Sequence, residues 1–202
     1  MEKQSRTPSS VAAAAELVGT FILVFAGCGG IMVEARDEVL TYVGVNAIFG
    51  LVIMAMIYSL GHISGAHINP SASLAFSAVV RLSVKELPIY IVSQIAGATA
   101  AAALLHEIIT NTSINVAVTV PVGNPFASLH GQKAGIAVGG IAACNGLLAG
   151  YAWTLSGCSM NPARSLGPAL IAGKYNDLGV YIVGPVSGAI CGAWFYKAIT
   201  IA

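Results

Sequence analysis

Two short stretches hold the residues best suited to chemistry. One is Ser64-Gly65-Ala66-His67-Ile68-Asn69-Pro70-Ser71, the other Ser156-Gly157-Cys158-Ser159-Met160-Asn161-Pro162-Ala163-Arg164. Each sets Asn-Pro behind Ser-Gly and three variable residues, and each continues to a Ser-Leu pair. Asn is a favoured helix N-cap, and Pro suits the first helical position, where its missing N–H has no partner to lose. Each box therefore predicts the start of a short helix. A helix start presents unpaired N–H groups and roughly half a positive charge. Two such ends facing each other would repel cations yet offer hydrogen bonds to a neutral molecule, as half-helix ends do in narrow pores. The amides of Asn69 and Asn161 would donate to a passing oxygen. The carbonyls of residues 62–67 and 155–160, which a helix would not satisfy, would add a row of acceptors.

The charged and reactive groups around the boxes are few. Arg164 follows Asn161 by three residues in apolar sequence, where a charge is costly and signals function. Glu16 is the acid inside a clear apolar run, and its expected role is to accept hydrogen bonds from one of the box loops. A proton relay would need further carboxylates in the spans. His62 and His67 could serve a metal or act as a base for Ser64, but no Cys or carboxylate cluster accompanies them. Cys28, Cys144, Cys158 and Cys191 are widely spaced and form neither a CxxC pair nor a zinc pattern, so no metal or cofactor is implied.

The elements that must position these groups are membrane helices. Of the 202 residues, 56% are hydrophobic and 8% charged, against roughly 25% charged in a soluble domain. Mean hydropathy is +0.82. A net charge of +1 leaves no basic stripe for nucleic acid. Apolar runs predict spans over about 11–33, 39–60, 87–105, 134–155 and 178–199, with half-helices over 69–79 and 161–171. Residues 34–38 read as the first loop. About ten residues are too few to cross a bilayer, so each half-helix must dip in and return, buried in protein or against a wet cavity. Lys3, Arg6, Arg81 and Lys85 fall on one side of this arrangement, which places that side in the cytoplasm. Residues 106–132 are broken by Pro121, Asn124, Pro125 and Gly131 and read mainly as loop.

The two boxes echo each other at 92 positions, and Tyr90-Ile91-Val92 with Gly97-Ala98 recurs as Tyr181-Ile182-Val183 with Gly188-Ala189 at 91. Matched offsets indicate an internal duplication. One repeat covers about 11–105 and the other about 106–202, in a single membrane domain spanning 1–202.

The doubled box with its trailing Arg164 resembles the aquaporin (major intrinsic protein) family, and Ala15-Glu16-Leu17-Val18-Gly19-Thr20 resembles its first-span signature. Phe25-Ala26-Gly27-Cys28-Gly29, Tyr58 to His67, and Ala134-Gly135-Ile136-Ala137-Val138-Gly139 are most similar to plant nodulin-like intrinsic proteins. The likeness covers nearly the whole chain outside about 106–132. It implies an all-α inverted-repeat bundle with two re-entrant half-helices, a tetramer, and a pore at Asn69, Asn161 and His67. Pro70, Pro162 and Glu16 would be structural supports. The implied selectivity filter falls on Phe49, Ala149, Cys158 and Arg164, with Gly146 the other candidate for the place of Ala149. Ser71 stands where the family usually has Ala.

Five clear spans are present where the family implies six. Residues 106–132 are either a loop or a degenerate fourth span in which Glu107, 91 positions after Glu16, would be its counterpart. The expected function is a passive channel for water and small neutral solutes such as glycerol or boric, silicic or arsenous acid, in a plasma or internal membrane. The alternative is a non-conducting, shortened subunit that assembles with full-length relatives or is retained internally. An intramembrane enzyme is the remote third reading.

Overall fold

The computed structural model describes residues 7–109, 134–153 and 159–200, with side chains of the 134–153 helix described over 135–148. Seven helices appear among them: α1 Ser9–Asp37, α2 Thr41–Ser64, α3 Pro70–Ala78, α4 Leu87–Ile108, α5 Ala134–Trp153, α6 Pro162–Ala172 and α7 Val180–Thr200. α1, α2, α4 and α7 are each long and apolar enough to cross a membrane. α5 has 20 residues, about 30 Å at 1.5 Å per residue, the thickness of a hydrocarbon core. The chain is an integral, multi-pass membrane protein.

Several boundaries move from those the sequence suggests. Residues 34–37 are not loop but the last turn of α1, closed by Glu38 in the left-handed region (φ 54°). The Glu34 carboxylate then accepts from the N–H groups of Leu40 and Thr41 at 2.6 and 2.9 Å, which fastens the hairpin into α2. Glu107 lies in α4 and is exposed, so it does not mirror the buried Glu16. The rest of the 106–132 stretch, residues 110–132, lies outside the described residues.

Helix directions follow from side-chain neighbours. Ser9 donates to Glu86 at 3.3 Å, Gly97 abuts Leu17 and Phe21, and Gly29 faces Leu105, so α1 and α4 run parallel. Gly27 and Gly30 meet Phe49 and Ile48, an antiparallel α1–α2 pair. Gly135 lies beside Tyr58, Gly50 beside Gly139, and the Tyr42 hydroxyl donates to the Gly146 carbonyl, so α5 is antiparallel to α2. α4 thus ends at one end of the bundle and α5 begins at the other. The half-helices α3 and α6, which follow α2 and α5, enter from opposite ends. α6 packs on α4 as α3 packs on α7, the relation expected of inverted repeats.

Small residues set the spacing. The core between α1, α4 and α6 is built from Val24, Cys28 and Met32 against Ala98, Ala101, Ala102 and Leu105, with Ala163 closing it. Without a hydrophobic drive between helices in lipid, close backbone approach supplies the packing. A Cβ on Gly97 would strike the Leu17 carbonyl, and one on Gly50 the Gly139 carbonyl. Gly97→Leu therefore pries α4 from α1. We expect it to destabilise the detergent-solubilised protein by about 1–3 kcal/mol, the usual scale of overpacking, read as a lowered denaturation midpoint.

Candidate functional site

The first box begins where α2 stops. α2 runs to Ser64 and is closed by Gly65 in the left-handed region (φ 89°), whose N–H donates to the Gly61 carbonyl. His62 and Ile63 are thus helical, and only Gly65 to Asn69 form loop. Ala66 (φ 47°) and Ile68 (φ 43°) are left-handed as well. That conformation costs an ordinary L-residue roughly 1–2 kcal/mol, and a β-branched Ile suits it least.

Glu16 holds this loop in place. Its carboxylate is fully buried. Oε1 accepts from the Ser64 hydroxyl at 2.6 Å and the His67 N–H at 2.8 Å. Oε2 accepts from the Ile68 N–H at 2.6 Å and the Gln94 amide at 2.7 Å. Four donors around one carboxylate offset the cost of its burial, since charge-assisted bonds are the strong ones. Gln94 also donates to Ser73 at 2.9 Å, and Ser73 meets His67 Nδ1 at 3.1 Å. The Tyr90 hydroxyl donates to the Ser64 carbonyl at 2.9 Å. His67 stacks on Phe76, ring centroids 4.6 Å apart. Ser64 and His67 are thereby engaged in structure, and His62 is exposed, apart from His67.

The second box starts its half-helix in the same way. Asn161 caps α6, its Oδ1 accepting from the N–H groups of Ala163 and Arg164 at 3.0 and 3.3 Å; Asn69 Oδ1 accepts from Ser71 N–H at 2.9 Å. Pro70 and Pro162 take the first helical positions. Ser165 donates to Ser159 at 2.6 Å, matching the Ser73–His67 contact one repeat earlier. The two boxes are then tied to each other. Asn69 Nδ2 donates to the Met160 carbonyl at 2.9 Å, and Asn161 Nδ2 donates to the Ile68 carbonyl at 2.7 Å. Each amide has two hydrogens, so the tie uses one from each. The starts of α3 and α6 consequently face one another.

A cavity of about 1070 Å³ runs past this junction. Asn69, Asn161, His67, Phe49 and Arg164 all line it, and so does Gly146. Arg164 is nearly buried, its guanidinium carbon 5.2 Å from the Phe49 ring centre, within range of a cation–π contact. Ala149 lies in α5 with its side chain outside the described portion, and Cys158 lies outside the described residues. One lining residue went unnoticed in the sequence: Asn46, a buried amide one turn before Phe49, its Nδ2 donating to the Tyr42 carbonyl at 2.8 Å. Its signal was a polar side chain in an otherwise apolar span.

The clamp makes a sharp demand on residue 16. Glu16→Gln keeps the shape but turns an amide donor toward groups that are themselves donors. We expect a loss of about 3 kcal/mol or more in detergent, since each unsatisfied buried partner costs roughly 1–3 kcal/mol. Thermal denaturation of the two proteins side by side measures it; equal midpoints would mean that the loop holds its left-handed residues without the carboxylate.

The family described as Major intrinsic protein matches residues 3–129 and 117–196. Aquaporin NIP1-1 of Oryza sativa subsp. japonica is 41% identical over 209 residues, covering 92% of this chain and 72% of its own length. Aquaporin NIP1-1 of Arabidopsis thaliana is 38% identical over 216 residues, with the same two coverages. This chain is thus shorter than those relatives, and their kind agrees with the nodulin-like likeness of its motifs. Among solved structures, the aquaglyceroporin from Plasmodium falciparum superposes with a TM-score of 0.81 at 21% identity, over 96% of this chain and 100% of that one, which shows the same fold. With its doubled Asn-Pro box, its inverted helix pairs and these relatives, the chain belongs to the major intrinsic protein family, the aquaporins.

Proposed function

We propose that the chain is a passive channel, one domain over residues 1–202, that lets water and small neutral solutes through the cavity between its boxes. The observation that carries this reading is the reciprocal Asn69–Met160 and Asn161–Ile68 tie, which turns two helix N-termini toward one point on the cavity wall. The remaining amide hydrogen of each Asn is free to meet a solute oxygen. The two positive helix ends and Arg164 repel cations, so protons and metal ions are refused while neutral molecules pass. Phe49 and Arg164 give one wall an apolar and a donating patch, which suits a molecule with carbons on one side and hydroxyls on the other. Ala149 and Cys158 complete this constriction in our reading, with a small residue leaving it wide enough for glycerol or a hydroxylated metalloid acid.

The protein is not an enzyme in this reading. Ser64 gives its hydroxyl hydrogen to Glu16 and His67 is bonded to Ser73, so neither is placed as nucleophile or base. No cofactor is needed. We place four copies together as a homotetramer, or as a mixed tetramer with full-length relatives.

Stopped-flow light scattering on proteoliposomes tests the reading. Vesicles carrying the protein should shrink in sucrose and re-swell in glycerol several-fold faster than empty ones, with no added proton leak. Rates equal to empty vesicles would favour the non-conducting subunit instead.

A further inference from the structure

Asn46 is built into the cavity wall by features that the pore reading does not use. It lies three residues before Phe49 on α2, hence on the same helix face and about 4.5 Å farther along the axis. Its side chain is nearly buried, yet it touches the same cavity as Phe49 and Arg164. The Tyr42 carbonyl holds one amide hydrogen, which fixes how the group is turned. The facing residue on α5 is Gly146, and the space there is spoken for: a Cβ on Gly146 would collide with Asn46 Oδ1. The Tyr42 hydroxyl, donating to the Gly146 carbonyl, holds the two helices at that separation. Here α5 withdraws its side chain and α2 supplies the polar one.

We propose that Asn46 is a solute-selecting residue: its amide hydrogen-bonds a hydroxyl of a small polyhydroxylated neutral solute one helical turn from Phe49 and Arg164. An amide has two donor hydrogens and an acceptor oxygen. With one hydrogen held by Tyr42, it still offers a donor and an acceptor together, which matches a C–OH or B–OH group that is both. A polyol whose carbons lie against Phe49 brings its hydroxyl to this amide, whereas a single water, with no carbons to seat on the ring, gains less from it. The inference rests on the channel reading above and adds the residue that tells solute from water.

The test uses the full chain in proteoliposomes, with glycerol as the probe, and reads the ratio of glycerol to water permeability. Asn46→Leu keeps the branched outline of the side chain and removes its polar atoms; the ratio should fall about three- to tenfold, the worth of one hydrogen bond. Asn46→Ser keeps a hydroxyl and should hold the ratio within about twofold. Gly146→Ala displaces the amide without altering it and should fall as Asn46→Leu does. An unchanged ratio in Asn46→Leu, or an equal fall in the Ser variant, would overturn the proposal, the latter because a hydroxyl in the same place would then not serve the solute. Equal loss of both fluxes in Asn46→Leu and Gly146→Ala would make Asn46 a packing residue and overturn it too. A parent that conducts neither probe would refute the channel reading itself, a result distinct from all of these.

Discussion

One buried carboxylate sets the position of nearly everything near the junction. Glu16 sits in α1 with no exposure, and its two oxygens collect four donors from α2, the first box loop and α4. Two of those donors are the N–H groups of His67 and Ile68, in a loop whose Ala66 and Ile68 are held left-handed. The strain there is offset by bonds that a charged acceptor makes stronger than neutral ones. Because Ile68 is fixed, its carbonyl is in place to receive Asn161. The position of the second half-helix thus depends on a residue in the first helix.

The repeats share a plan but not its details. In each, Asn caps a helix whose first residue is Pro, and a Ser on the next turn reaches back to the residue two before Asn. In the first repeat that residue is His67, wedged against Phe76 and Tyr90. In the second it is Ser159, which also donates to the Asn161 carbonyl at 3.1 Å. The first box is buttressed by a carboxylate, and the described part of the second by hydroxyls and by Asn69. The chain covers 72% of the length of the rice relative.

Much of this was legible in the residues. The Asn-Pro boxes named both half-helices to within a residue, because capping and a proline start are local chemistry that neighbours rarely override. Apolar runs located the five long helices, since lipid demands such runs wherever a helix crosses. The ends were less legible. Residues 34–38 look like loop by charge, yet the charged side chains of 34–37 reach water while their backbone stays helical, and only Glu38 leaves the helix. His62 to Ser64 look like box loop, yet α2 continues until Gly65 supplies a left-handed stop. Asn46 was missed because its meaning is relational: it matters only opposite Gly146, and no spacing along the chain shows that pairing. The crossed tie between Asn amides and the opposite loop is likewise a tertiary fact that two matching motifs suggest without specifying.

The central claim is that two half-helices enter from opposite faces and meet at their N-termini. Their far ends must then open to opposite sides of the membrane. Single cysteines at Val84, just past α3, and at Lys174, just past α6, placed in a background without other cysteines, report those sides through a membrane-impermeant thiol reagent. On sealed vesicles the account predicts that one of the two is labelled from outside and the other only after permeabilisation. Labelling of both from the same side would contradict it.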